Sequence, residues 1–346
     1  MIRVGVIGAT GYSGLELVRL LLDHPQAKVT YVSSRTYAGK NLNEVFPALK
    51  GHSSLKCEEF NADHALAAAD FFFIALPHGL SGEIVPKLLK PGKKVVDLGS
   101  DFRLEDESLY EIWYKKKTTA KKMEPAAVYG LPEMNGDTLK NAVLVANPGC
   151  YATAASLALL PLVQRNLIER HGILVDAKSG VSGAGRSLAL SSQFCEANEN
   201  MKAYKVTAHQ HTPEIEQTLG KAAGEPVVLN LTPHLMPLNR GILATCYGRL
   251  KQKTSTGDLL KLYTEYYREE PFVQVMPEGV YPGVKDVLGS NTCMIGLKVD
   301  ERITTVIVTS VIDNLTKGAA GQAVQNMNLM CGFEETMGLP RVGLIP

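Results

Sequence analysis

The sequence predicts two domains, a parallel sheet covered by helices and then an α+β domain with a mixed or antiparallel sheet, and three observations predict them. The first is length, since 346 residues exceed what one ordinary hydrophobic core supports. The second is a strand, a glycine turn, a helix and another strand within residues 2–33. The third is a change of pattern after residue 150, beyond which long strands begin to follow one another directly.

The elements follow in order. IRVGVI (2–7) is an apolar run ending in GATGYSG, and LELVRLLLDHP has helical periodicity that stops before Pro25. KVTYVS (28–33), DFFFIALP (70–77), a helix over roughly 80–89, KKVVDLG (93–99) and NAVLVANPG (141–149) continue the alternation. Near-continuous apolar strands alternating with helices imply a parallel sheet buried on both faces. Then come a helix over about 151–164, ILVDAKSG (173–180), a helix from Pro213 to about 223, VVLNLTPHL (227–235), GILATCYGRL (241–250) and a helix near 257–269. TCMIGLKVD (292–300) and RITTVIVTSVIDN (302–314) read as a hairpin turning at Asp300-Glu301. A last helix at about 316–330 is expected to return to the first domain. The expected division is 1–149, completed by about 315–346, and 150–314.

Composition narrows the function classes. Lys+Arg 36 against Asp+Glu 35 gives a net charge of +1, which removes the electrostatic argument for nucleic acid or an acidic membrane as partner. A small-molecule substrate is expected instead. The stretch ALAAADFFFIAL (65–76) is too short for a membrane span and carries an aspartate. The chain opens on a strand pattern with no signal-like core. Six scattered cysteines, without a C-x-x-C pair or zinc-finger spacing, read as reduced thiols, so a cytoplasmic protein without a metal is expected. KKKTTAKK (115–122) reads as a solvated loop.

Gly8, Gly11 and Gly14 form a G-x-x-G-x-x-G variant of the dinucleotide fingerprint, placed between a strand and a helix as the motif requires. A backbone without Cβ atoms can approach a pyrophosphate, whose charge the helix N-terminus favours. The first domain is therefore expected to be of Rossmann type. After the second strand an acid would select NAD by its ribose hydroxyl. This chain has Ser33, Ser34 and Arg35, which suit a 2′-phosphate and so NADP.

NPGCYAT (147–153) puts Cys150 after Pro148-Gly149, which end a strand, and before an apolar helix. A helix N-terminus favours the thiolate, the nucleophilic form, and offers N–H groups to a developing oxyanion. The candidate acid/base lies in AHQHTPEIEQTL, where Thr212-Pro213-Glu214 read as a helix start preceded by His209 and His211 in extended chain. His209 is the expected acid/base, with His211 as the alternative. Arg103 in SDFR, the glycine loop SGVSGAGR (179–186) and Arg240 in PLNRG are candidates for binding an acidic substrate. A nucleotide, a nucleophilic thiol, a histidine and arginines together suit reduction of an acyl phosphate to an aldehyde.

GATGYSGLEL, SDFRL, YGLPE (129–133), NPGCYATAASLALLPL, SGVSGAGR, HQHTPEIEQ, HLMPLNRGI (234–242) and GSNTC (289–293) resemble the N-acetyl-gamma-glutamyl-phosphate reductase family, from residue 1 to beyond 320. Gln210 departs from the Arg that many members carry between the histidines. The resemblance implies NADPH-dependent reduction of N-acetyl-L-glutamyl 5-phosphate to the 5-semialdehyde through a Cys150 thioester, in arginine biosynthesis, with His209 managing protons. It implies that Gly8, Thr10, Gly11, Tyr12, Ser13 and Gly14 hold the pyrophosphate, and that Ser182, Gly183 and Asn291 lie near the nicotinamide. It further implies Arg103 and Asn147 at the phosphate, Arg240 at a substrate carboxylate, and a homo-oligomer, tetramer or dimer. The rivals are an aspartate-semialdehyde dehydrogenase or other acyl-phosphate reductase, and an NADP-responsive regulatory protein that has lost catalysis.

Overall fold

A computed structural model of the chain describes residues 1–118, 120 and 126–345. The fold divides into unit 1, Met1–Pro148 with Ala319–Leu339, and unit 2, Gly149–Gly318 with Pro340–Pro346. Of the lysine run at 115–122, Lys115, Lys116 and Lys117 are exposed, while 119, 121 and 122 lie outside the described residues. Among the described residues no helix is long and apolar enough to cross a membrane.

Unit 1 holds a parallel sheet of strands β1 (Ile2–Ile7), β2 (Ala27–Ser33), β3 (Phe71–Ile74), β4 (Lys94–Asp97), β5 (Val128–Tyr129) and β6 (Leu144–Ala146), in the order β2-β1-β3-β4-β6-β5. Phe71, Phe72, Phe73 and Ile74 are all buried, as an uninterrupted apolar run demands when successive side chains point to opposite covered faces. The chain leaves β1 on one side for β2 and returns on the other for β3. That switch of direction opens a crevice at the carboxyl ends of β1 and β3, where sheets of this kind take ligands.

The helix Gly321–Cys331 belongs to this unit and is buried along its length, amide side chains included. Its amide NH2 groups are hydrogen-bonded, as burial requires, while Gln322 Oε1 and Asn326 Oδ1 have no partner among the described residues. Gln322 Nε2 and Asn326 Nδ2 both donate to the Gly130 carbonyl, at 3.0 and 2.9 Å, and Asn326 Nδ2 also reaches Asn147 Oδ1 at 3.0 Å. The expected last helix is thus two pieces, a π-helical turn Thr316–Ala320 and this helix. The expectation that the chain from about 315 to its end completes the first domain needs correction. From Pro340 onward the chain is built into unit 2, because the Asn291 N–H and Thr292 hydroxyl donate to the carbonyls of Pro340 and Arg341, at 2.7 and 2.8 Å.

Unit 2 holds a mixed sheet of β7 (Ile173–Gly180), β8 (Lys202–Ala203), β9 (Leu229–Met236), β10 (Ile242–Arg249), β11 (Val273–Val275), β12 (Cys293–Asp300) and β13 (Thr305–Ile312), in the order β11-β12-β13-β10-β7-β9-β8. β7 with β9 and β11 with β12 are parallel, the other pairs antiparallel, and β12–β13 is the expected hairpin. Against this sheet lies the helix Cys150–Gln164, whose residues Tyr151 to Val163 are all buried. A helix apolar on every side belongs in a core. Pro161 has no N–H, so it leaves the Leu157 carbonyl without its helical partner. The Tyr267 hydroxyl supplies one at 2.6 Å.

Candidate active site

In unit 1 the glycine turn fits a nucleotide. Gly8 has φ 88°, a left-handed conformation that glycine adopts without strain, and a Cβ there would collide with the Ala75 carbonyl. A Cβ on Gly14 would collide with the carbonyl of Gly8, so the helix Tyr12–Leu22 packs directly onto the turn. Gly11 is that helix's N-cap and has no side chain to occupy the first-turn N–H groups. Thr10, Tyr12 and Ser13 lie on the same turn. The Gly8 and Ala9 N–H groups donate to the Ser33 carbonyl, at 3.1 and 3.0 Å, which ties the turn to the end of β2. There Ser34 Oγ lies 2.7 Å from Thr10 Oγ1, and Arg35 is exposed. Hydroxyls and a cation at the end of β2, with no acid in the turn, fit a 2′-phosphate.

Arg103 is 5% exposed and clamps two strand ends. Its Nε donates to the Asn147 carbonyl and its Nη2 to that of Leu98, both at 2.8 Å. Asn147 is buried, its Nδ2 donating to the Ala319 carbonyl at 3.2 Å. Below them, burial raises the Asp97 carboxyl to about 7, against the hydrogen bonds from Ser81 Oγ (2.7 Å) and the Gly99 N–H (2.8 Å) that favour its ionised form.

In unit 2, Cys150 is the first residue of its helix and Gly149 the N-cap, as the sequence suggests. The histidine segment differs from expectation. It is not extended: the helix His211–Ala223 begins two residues before Pro213, with Gln210 at the cap position. The reason is His209, whose Nδ1 accepts the His211 N–H at 3.1 Å while its carbonyl accepts the Thr212 N–H at 3.0 Å. His209 is 7% exposed and acts as the helix cap, and a neutral ring accepting at Nδ1 carries its proton on Nε2.

His211 meets the cysteine segment more directly. A Cβ on Gly149 would fall 2.5 Å from His211 Cε1 and closer still to Nε2, so the edge of the ring abuts the residue before Cys150. Glu214, fully buried, accepts the Gly149 N–H at 2.8 Å. An imidazole and a carboxylate therefore close on the N-cap of the Cys150 helix. The Tyr151 ring stands edge-on to both histidines, and the Tyr204 hydroxyl donates to that of Tyr151 at 3.1 Å. Burial pushes both phenols up, Tyr204 to about 12, so both stay neutral hydroxyls.

The remaining residues of unit 2 converge on the turn after β13. Arg240 pairs with buried Asp313, Ser182 Oγ accepts from Asn314 Nδ2 at 3.0 Å, and Asn314 Oδ1 accepts the Gly241 N–H at 2.7 Å. Gly183 is packed near Ser179 Oγ, and Asn291, fully buried, is two residues beyond Gly289, whose N–H donates to Asp313. The turn ends at Gly318, where a Cβ would lie 2.8 Å from Cys150 Cβ. Sequence reasoning missed Glu214, Tyr204, Asp313 and Asn314. The one available signal was the polar pair Asp313-Asn314 closing a long apolar strand.

Residues 3–142 match the family model described as semialdehyde dehydrogenase, NAD binding domain, and residues 150–314 that described as semialdehyde dehydrogenase, dimerisation domain. N-acetyl-gamma-glutamyl-phosphate reductases of Pelotomaculum thermopropionicum and Desulforudis audaxviator are 52% and 51% identical to the chain, covering all of it and 99% and 100% of their own lengths. The chain belongs to the N-acetyl-gamma-glutamyl-phosphate reductase family. Among solved structures it is similar to aspartate semialdehyde dehydrogenase II of Vibrio cholerae in complex with ASA, at TM-score 0.70 and 18% identity over 96% of this chain and 98% of that one. The Candida albicans aspartate semialdehyde dehydrogenase with NADP gives TM-score 0.68 and 15% identity, over 96% and 98%. These two likenesses speak for the fold, a mixed α/β architecture. The resemblance read from the sequence holds, and the aspartate-semialdehyde alternative is only a distant structural neighbour of this reductase-family chain.

Proposed function

We propose that this chain reduces N-acetyl-L-glutamyl 5-phosphate to N-acetyl-L-glutamate 5-semialdehyde and phosphate, with NADPH as reductant and Cys150 as the carrier of the acyl group. The observation that carries the mechanism is Cys150 opening a helix whose N-cap is contacted by both His211 and Glu214. In this reading His211 takes the thiol proton and the thiolate attacks the acyl carbon. The carbon–oxygen bond to phosphate breaks, leaving a thioester. Bound NADPH supplies the hydride that reduces the thioester carbon. His211 manages the proton as the resulting thiohemiacetal collapses to the aldehyde and the free thiol. The backbone N–H groups of the first turn stabilise the oxyanion of each tetrahedral species.

His209 braces His211 and caps its helix, which moves the acid/base role from the residue first expected to its alternative. Arg240 is assigned to the substrate carboxylate, Arg103 and Asn147 to the phosphate, and Ser182, Gly183 and Asn291 to the nicotinamide side. The glycine turn holds the pyrophosphate and Arg35 with Ser34 the 2′-phosphate. A cytoplasmic homo-oligomer working in arginine biosynthesis completes the proposal, supported by the match of residues 150–314 to a dimerisation domain.

The substrate is tested by following NADPH oxidation with N-acetylglutamyl phosphate and with aspartyl phosphate. Turnover of the first is expected, and turnover of the second alone would sink the reading. Cofactor choice is tested with Arg35→Ala, which is expected to raise the KM for NADPH by about tenfold or more, the value of one charge-assisted contact, and to leave that for NADH nearly unchanged. An equal effect on both would contradict a 2′-phosphate contact.

A further inference from the structure

We propose that Asp313 is a positioning residue that holds the Arg240 guanidinium as receptor for the far anionic end of the substrate, at a span from Cys150 set by the turn Asp313–Gly318. This rests on the assignment of Arg240 to the substrate carboxylate.

Asp313 follows β13 and is fully buried. Its Oδ1 accepts the Leu315 and Thr316 N–H groups, at 2.8 and 3.1 Å, and its Oδ2 accepts the Gly289 N–H at 2.7 Å. Arg240 lies across the same carboxylate, with Nε 2.9 Å from Oδ2 and Nη2 3.1 Å from Oδ1, and Nη2 also donates to Thr316 Oγ1 at 2.9 Å. Three backbone donors share the carboxylate's charge, so Asp313 orients the guanidinium without cancelling its attraction for a second anion. The Arg240 side chain remains 24% exposed. A planar fork fixed along one edge can present its charge in only one direction, which a lysine in the same place would not do.

The backbone of Arg240 is tied to the same turn, since the next residue, Gly241, donates its N–H to Asn314 Oδ1. At the turn's other end the Gly318 N–H donates to the Asp313 carbonyl at 2.9 Å, and Gly318 lies flat against Cys150. One short, internally hydrogen-bonded segment thus holds the guanidinium at one end and packs against the cysteine at the other. A receptor and a nucleophile at a fixed separation select acyl phosphates by chain length. On this proposal a dicarboxylic skeleton one methylene shorter does not engage both ends at once.

The test uses two bromoacetyl reagents, N-bromoacetylglycine and its neutral amide, N-bromoacetylglycinamide. In the acid the reactive carbon and the carboxylate are separated by the same number of bonds as the acyl carbon and α-carboxylate of the substrate. Alkylation of Cys150 is followed by peptide mass spectrometry, which separates it from exposed Cys195. The wild-type protein is expected to react about tenfold faster with the acid than with the amide, the effect of one charge-assisted contact. That ratio is expected to fall towards one in Arg240→Gln and in Asp313→Asn, with the rate for the amide unchanged. Gly318→Ala, which displaces the thiol relative to the receptor, is expected to slow both reagents and to lower the ratio, and an unchanged ratio contradicts a span set by the turn. A wild-type ratio near one overturns the assignment of Arg240 and the inference with it. A ratio lost in Arg240→Gln but kept in Asp313→Asn leaves the assignment standing and overturns the positioning role. Should Asp313→Asn fail to fold, Thr316→Val, which removes only the hydroxyl under Nη2, is expected to lower the ratio, and an unchanged ratio overturns the inference.

Discussion

Replacing Cys150 with serine is expected to lower turnover by roughly 10⁴-fold or more while leaving the fold and nucleotide affinity intact. The thiol is the only group in the proposal that bonds to the acyl carbon. A serine hydroxyl at this position is far less acidic, so neither the helix N-terminus nor His211 can bring it to a comparable anion population. The side chain itself makes little of the core, because burial of the helix begins at Tyr151. Loss of turnover with unchanged thermal unfolding and NADPH binding is therefore the expected pattern. A Cys150→Ser protein that still turns over at wild-type rate would remove the thioester from the account.

His211→Asn is expected to lower kcat/KM by about 10²–10⁴-fold, the usual range for losing general acid/base help. The same change at His209 is expected to cost less activity and to lower Tm, because Nδ1 of that ring caps the helix that carries His211 and Glu214. The two variants differ in pH dependence as well. Removing the proton acceptor flattens the acidic limb of the kcat/KM profile, whereas loosening the cap keeps the limb and lowers the plateau. If His209→Asn does the greater damage and flattens the profile, the acid/base role belongs to His209.

What could be read from the sequence was what local chemistry encodes. Gly8, Gly11 and Gly14 announce a turn because each sits at a fixed offset between an apolar strand and a helix, and Cys150 announces a helix start because Pro148-Gly149 precede an apolar run. The histidine segment was only half legible. Thr212-Pro213-Glu214 does carry a helix-start signal, but the ring of His209 and the packing against Gly149 start the helix at His211 instead. Glu214 looked like an ordinary first-turn acid, since nothing local reveals that its carboxylate meets an N–H 65 positions away. Arg103 reads from the sequence as a cation for an acidic substrate, and nothing local shows that two of its donors are engaged on carbonyls at the ends of β4 and β6. The hub at Asp313 was invisible for the same reason. Its partners come from residues 240, 289 and 315–316, which only the finished sheet brings together.

The central claim, that Cys150 carries the acyl group, is tested most directly by mixing the protein with N-acetylglutamyl phosphate in the absence of any nicotinamide nucleotide. Intact-mass and peptide analysis of the quenched sample should show one N-acetylglutamyl group on Cys150, with one equivalent of phosphate released per chain, and NADPH added afterwards should discharge it as the semialdehyde. If no phosphate is released before NADPH is present and no adduct forms on Cys150, hydride transfer does not pass through a thioester and the account is contradicted.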